Sequence, residues 1–186
     1  GNDAAAGTRA APWKSFARAQ TAAAAGDTIY FRGGRYAYTD ATSPCASRTA
    51  SVDGVTLNKS GREGAPIRYV AYEGETPVFD FSGMKIDCRG RGGHVSASWI
   101  HLRGLEEMGA PQNNNLNHES WGIWITGSHN VFERLNLHHN MGPGLFIAEG
   151  GHNLVLNSDS HRNFDPLTSN GAGESADGFG SHSKAP

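Results

Sequence analysis

Three things are scarce in this 186-residue chain: cysteine, net charge and long apolar runs. Cysteine occurs only at Cys45 and Cys88. One pair permits a single disulfide, as an oxidising compartment would allow, or two buried thiols. Spacing alone leaves both open, and the expected arrangement is a bond, because the two residues bracket the irregular 46–87 region. Lys and Arg total 16 against 18 Asp and Glu, a formal net charge of −2. No basic excess points to nucleic acid or to an anionic membrane surface. Local basic positions remain, and Arg32, Arg35, Arg89 and Arg91 are candidates for contact with a polyanion. No stretch approaches the roughly 20 apolar residues of a membrane-spanning helix. The chain opens GNDAAAGT without a signal-peptide pattern, which reads as a mature or trimmed end.

What is present is glycine, 25 residues of it, beside a hydrophobic share of 37%. That combination describes a turn-rich folded protein and not a disordered one. The length suffices for one domain with a real core, and a single domain over 1–186 is expected. PWKSFARAQTAAAA (12–25) reads as a short helix, with Pro12 suited to its first turn and Gly26 to its stop. Phe16, Ala19 and Ala23 would share one face. GDTIYFRGGRY, APIRYVAYEG (65–74) and TPVFDFSG (76–83) each read as short strands and turns. Segment 39–63 is polar and irregular and reads as a loop.

The organising pattern is an internal repeat. WGIWITGSHNVFERLNLHHN (121–140) aligns with GLFIAEGGHNLVLNSDSHRN (144–163). Asn130 and Asn153 are 23 apart, as are His129 and His152, Leu135 and Ser158, His138 and His161, and Asn140 and Asn163. SWIHLRGLEE (98–107) has the same character, displaced by an insertion containing QNNNLN. Repeats of this length suggest a solenoid, and the spaced leucines of leucine-rich repeats are missing. Three short strands and three turns fill one coil of a parallel β-helix, with equivalent residues laddered about 4.8 Å apart. The repeated asparagines read as such ladders. After Asn163 the register breaks, and DGFG resumes the pattern of GLFI 34 residues after Gly144. The intervening loop reads as the wall of a binding site.

Candidate site residues follow from this layout. Asp159, Asp165, Glu174 and Asp177 are hard oxygen donors of the kind Ca²⁺ takes, although the EF-hand spacing is absent. The alternative is a solvated acidic loop. His138, His139 and His161 are close enough in the repeat to approach one another, as a Zn²⁺ site requires. The alternative is a set of ladder and turn histidines, which the repeat favours. Trp121, Trp124 and Tyr72 suit either sugar stacking or aromatic ladders. Asn157-Ser158-Asp159 is similar to the N-T-D of β-helix polygalacturonases, but their Asp-Asp pair and Gly-His-Gly are missing, so a two-carboxylate hydrolase is not supported. Asp165-Pro166 is similar to the D-P-H-E of alginate epimerases, but Leu167 stands where His belongs.

GDTIYFRGGRY, PIRYVAYEGETPVFDFS, GLFIAEGGHNLVLNSDSHRNFDP and above all ADGFG resemble pectate lyases of polysaccharide lyase family 9. The resemblance runs through nearly the whole chain and is weakest over 39–63 and 84–118. It implies an all-β fold, a right-handed parallel β-helix with the short helix as its N-terminal cap. It also implies secretion, Ca²⁺, and β-elimination on polygalacturonate, an acidic polysaccharide. The family's acidic residue in ADGF is a calcium ligand, which makes Asp177 the metal-ligand candidate here. The remaining ligands belong to a later S-D-D-G-(F/W)-D segment, one coil on, and the base is a lysine further downstream. Neither segment occurs before Pro186, and Lys184 does not match the base position. The expectation is therefore a β-helix truncated at its C-terminal end, inactive alone, with its base beyond Pro186. A second polypeptide carrying the remaining coils would complete it. Other uronan lyases, acting on alginate or rhamnogalacturonan, and a non-catalytic carbohydrate-binding β-helix are the alternatives.

Overall fold

In a computed structural model, residues 1–41, 44–112, 119–167 and 175–182 are described. One helix, α1 (Phe16–Ala22), precedes fifteen strands. These are β1 (Thr28–Phe31), β2 (Gly34–Ala37), β3 (Ser51–Leu57), β4 (Ile67–Ala71), β5 (Pro77–Asp80), β6 (Arg89–Val95), β7 (Ile100–Arg103) and β8 (Glu106–Met108). They continue as β9 (Trp121–Ile125), β10 (Val131–Glu133), β11 (Asn136–His138), β12 (Leu145–Ile147), β13 (Leu154–Leu156), β14 (Asp159–His161) and β15 (Phe179–Ser181). Every third strand pairs in parallel, giving three five-stranded sheets: β1-β4-β7-β10-β13, β2-β5-β8-β11-β14 and β3-β6-β9-β12-β15. The chain therefore winds through five coils of three strands each, which is a parallel β-helix.

The 23-residue repeat holds in the last full step. Val131 pairs with Leu154, and His138 pairs with His161. Leu145 pairs with Phe179, so the shift of 34 residues inferred from Gly144 and Gly178 is the true register. The asparagines form the expected ladders. Asn153 Oδ1 accepts from the Asn130 amide at 3.0 Å, and Asn163 Oδ1 accepts from the Asn140 amide at 3.0 Å. Each satisfies a backbone donor that the turn would otherwise leave unpaired. Beside these ladders the turn residues Trp99, His129 and His152 adopt left-handed backbone, as do Arg134, His139, Asn157 and Arg162.

Two sequence expectations are corrected. The helix occupies Phe16–Ala22 and not 12–25, because Ser15 is its N-cap and accepts from the Arg18 amide. Its far end is set by Ala23, whose backbone turns extended. The expected face is right: Phe16, Ala19 and Ala23 are buried. Phe16 stacks on Phe31 and Tyr69, each at 5.2 Å, so the helix does cap the apolar end of the first coil. The second correction concerns 39–63. It contains β3, SVDGVTL, which pairs with β6 over most of its length. Asp53 and Gly54 interrupt the alternation there, which hid the strand.

Cys45 and Cys88 are bonded, with Cα atoms 5.8 Å apart. The bond ties the approaches to β3 and β6, which pair with each other. Reducing it should lower the unfolding free energy by roughly 2–4 kcal/mol, since it closes a long loop in the unfolded chain. A urea midpoint unchanged after complete reduction, verified by thiol titration, would contradict this.

The interior is apolar along the first and third sheets, where Ile67, Tyr69, Phe132, Ile125 and Leu145 are fully buried. It carries one polar seam. Glu107 on β8 points inward in the column of Tyr36, Phe79, Leu137 and Ser160. Its Oε2 accepts from Asn140 Nδ2 at 2.9 Å, while its Oε1 has no hydrogen-bond partner. Burial pushes its carboxyl up to about 8, against the lowering effect of the Asn140 bond.

Candidate functional site

The outward face of the third sheet gathers the polar and aromatic side chains. Thr56, His94, Trp124, Phe146 and Gly180 occupy one register column. They alternate with Leu57, Val95 and Ile125, which are buried in the core. A second column runs through Asp53, Arg91 and Trp121. It continues to Pro143 and Asp177, whose carbonyls accept the Gly122 and Gly144 amides. Glycine follows each member of this second column (Gly54, Gly92, Gly122, Gly144 and Gly178), and at Gly54, Gly92 and Gly122 an added Cβ would meet interior Phe81 or Glu107.

At the N-terminal end of this face, Asp53 is the hub. It accepts from Arg91 Nε at 2.5 Å and Thr56 Oγ1 at 2.9 Å, and it lies 3.1 Å from His94 Nδ1. The other nitrogen of His94 is 3.2 Å from Thr126 Oγ1. Burial opposes ionisation of Asp53, but the His94 hydrogen bond and the Arg91 charge outweigh it and hold the carboxyl below its ordinary value. The order Asp–His–Thr resembles a nucleophile relay. The amides of Thr126 and Gly127 are both spent on the Val95 carbonyl, so the backbone beside Thr126 offers no oxyanion donors. The cluster is an electrostatic brace between coils, and no spacing in the sequence announced it.

The aromatic candidates resolve toward ladders. Trp124 stacks on Phe146 at 5.4 Å, Phe146 meets His182 edge-on at 4.9 Å, and Trp121 leans on Trp124 at 4.3 Å. Arg89 lies over Trp121 at 4.2 Å. Tyr72 sits apart on the turn after β4, in the second coil, with Arg9 and Arg32 over its ring. These ring faces are already covered by their neighbours. The four arginines proposed for a polyanion are paired with carboxylates: Arg32 with Glu75, Arg35 with Asp80, Arg89 with Glu119 and Arg91 with Asp53.

The acidic residues at the end of the chain do not converge. Asp159 is on the second sheet, opposite Asn136. Asp165 is fully buried and accepts from Gln112 Nε2 at 2.5 Å. Glu174 and Lys184 lie outside the described residues. Asp177 stands exposed at the edge of the third sheet. A Cβ built on Gly180 would lie 3.4 Å from Asp177 Oδ2 and 2.7 Å from the Phe146 ring, so glycine keeps the space beside that carboxylate open. Among the described residues no three His, Cys, Asp or Glu side chains are arranged to hold a metal ion. The histidines do assemble as the repeat required, His138 stacked on His161 at 5.1 Å with His139 beside them. Among the described residues no helix is long and apolar enough to cross a membrane.

Comparison with known proteins agrees with this architecture. The chain is 36% identical over 173 residues to pectate lyase L of Dickeya chrysanthemi, covering 91% of this chain and 36% of that protein. It is 33% identical over 184 residues to pectate lyase PEL9 of Emericella nidulans, covering 96% and 41%. Among solved structures, a rhamnogalacturonan lyase matches with a TM-score of 0.86 at 30% identity, over 98% of this chain and 44% of that one. Pectate lyase Pel9A matches with a TM-score of 0.74 at 33% identity, over 96% and 40%. The chain thus spans well under half the length of these relatives. The family model described as the Pel9A-like right-handed β-helix region matches residues 1–186, and the chain belongs to that family.

Proposed function

We propose that this chain forms the first coils of a secreted, calcium-dependent polysaccharide lyase that cleaves polygalacturonate by β-elimination. The observation that carries the reading is the place of Asp177. It ends a register column on the outward face of the third sheet, at the edge where a further coil would stack. Its exposed carboxylate stands over the open position of Gly180.

Asp177 fits one donor position of a calcium site. Ca²⁺ takes six to eight oxygens, and the described residues do not supply the others. Bound there, Ca²⁺ would stabilise the charge that develops beside a uronate carboxylate as its C5 proton leaves. The base and the remaining ligands would come from coils stacked on β15, in the same or a second polypeptide. This chain's own role is to present Asp177 rigidly, on a sheet braced by the Asp53–Arg91–His94 cluster.

Rhamnogalacturonan is the second reading, favoured by the TM-score of 0.86 to a rhamnogalacturonan lyase. The two are separated by offering each polysaccharide, with and without Ca²⁺, to a polypeptide that carries the following coils. Release of unsaturated uronate ends is read by ultraviolet absorbance. Asp177→Asn should lower the rate by at least roughly 100-fold, the scale of losing one electrostatic contact at a reacting centre. The isolated 186-residue chain should release no such ends. Calcium-dependent cleavage by that isolated chain would overturn the assignment of the base to later coils.

A further inference from the structure

A second constellation lies on the outward side of the second sheet, away from Asp177. His138 ends β11, and His139 follows it in left-handed backbone, with φ 56°. That turn swings the second imidazole back beside the first, and the two Nδ1 atoms lie 2.6 Å apart. Two neutral imidazoles in this contact share one proton, one nitrogen donating and the other accepting.

The surrounding groups fix which nitrogen of His138 is free. Its Nε2 is 3.1 Å from Glu106 Oε1, on the preceding coil. A carboxylate only accepts, so Nε2 carries the proton and Nδ1 presents its lone pair. Asn136 Nδ2 reaches Glu106 Oε2 at 3.5 Å, and Asn136 Oδ1 lies 3.0 Å from His161 Nε2 on the next coil. The His161 ring, stacked on His138, is held in the same orientation. A carboxylate behind a histidine is the usual orienting partner of a metal-bound imidazole. His139 is exposed, so its Nε2 can take up the proton that Nδ1 releases.

We propose that His138 and His139 form a two-nitrogen chelate for a borderline divalent cation, Cu²⁺ or Ni²⁺. With metal–nitrogen bonds of about 2.0 Å, a 2.6 Å separation subtends roughly 80° at the metal. That angle suits the adjacent positions of a square-planar or octahedral ion, the preference of Cu²⁺ and Ni²⁺. It is too narrow for tetrahedral Zn²⁺, which would need the nitrogens about 3.3 Å apart. Water completes the coordination, consistent with the absence of a third converging donor among the described residues. The proton between the rings moves to His139 Nε2 as the metal enters, so no net proton is lost. Arg162 occupies the position equivalent to His139 one coil on, and its positive charge beside His139 works against a cation there.

The test uses the tag-free chain and Cu²⁺ alone, with affinity from calorimetry and coordination from electron paramagnetic resonance. His139→Asn keeps a residue that tolerates left-handed backbone. It should weaken Cu²⁺ at least about tenfold and remove one nitrogen from the spectrum. Glu106→Gln should also weaken it roughly tenfold while leaving both nitrogens in place. His152→Asn, at another left-handed turn, should change neither. An unchanged affinity in both His139→Asn and Glu106→Gln would overturn the proposal. So would a loss of equal size in His152→Asn. Should His139→Asn fail to fold, Glu106→Gln decides alone.

Discussion

Raising the pH from about 4.5 to 8 should steadily destabilise this protein, and Glu107→Gln should abolish most of that loss. Glu107 is buried among Phe79, Leu137 and the backbone of the third sheet, and its folded carboxyl is pushed up to about 8 from an ordinary 4.5. Between those values the unfolded chain has released the proton and the folded chain retains it. The unfolded state therefore binds fewer protons, and stability falls with rising pH across that window. A shift of this size corresponds to on the order of 4 to 5 kcal/mol, complete by about pH 8. Gln keeps an oxygen for Asn140 Nδ2 and has no charge to bury. Urea unfolding of both proteins from pH 4.5 to 8.5 would give a difference near zero at the acid end. At the alkaline end the variant should be the more stable by most of that amount. Asp53 and Asp80 are held below their ordinary 3.8, so their contributions are lost only at more acid pH and do not mask the slope. Parallel curves for the two proteins would mean that Glu107 does not carry this proton.

How much of this was legible in the sequence depended on where insertions fall. Residues 121–163 carry two coils with no insertion between them, so the 23-residue shift was visible and fixed the ladders of Asn130, Asn140 and His138. Earlier steps are longer. Arg68 pairs with His101 and His101 with Val131, shifts of 33 and 30, so self-alignment fails there. β3 and β6 were hidden for a different reason. SVDGVTL and RGRGGHV break the apolar alternation with charges and glycines, and β6 is a strand because β3 and β9 both pair with it. The same property hid Asp53–His94–Thr126, whose members are brought together only by stacking of three coils. In the sequence Asp177 is one acidic candidate among four, and only the family resemblance sets it apart from Asp159, Asp165 and Glu174. The His138–His139 contact depends on one left-handed residue, which local sequence does not specify for histidine.

The glycine column should be the most substitution-sensitive feature of the third sheet. Gly54, Gly92, Gly122, Gly144 and Gly178 stand in register on five successive strands or their approaches. At Gly92 and Gly122 the reason is the polar seam opposite. A Cβ at Gly122 would sit 2.6 Å from both Asn140 Nδ2 and Glu107 Oε2, and against the Gly144 carbonyl. Those atoms cannot retreat. Asn140 Oδ1 accepts from the Ala110 amide at 2.8 Å, its Nδ2 holds Glu107, and the Gly144 carbonyl accepts from Ile123. Gly122→Val must therefore break buried hydrogen bonds or push neighbouring coils away from each other. The expected cost is at least about 4 kcal/mol, at the upper end for overpacking because polar groups are left unpaired as well. Gly93, one residue beyond this column, is the control. Its Cβ would meet only Ile123 Cγ1, at an ordinary 3.8 Å. Gly93→Ala should be neutral or stabilise by about 0.5 kcal/mol, through the reduced freedom of the unfolded chain. Urea midpoints of the two variants should therefore move in clearly different ways from neighbouring positions on adjacent strands. If Gly122→Val were tolerated as well as Gly93→Ala, the seam of Glu107 and Asn140 could not be packed against the third sheet as described.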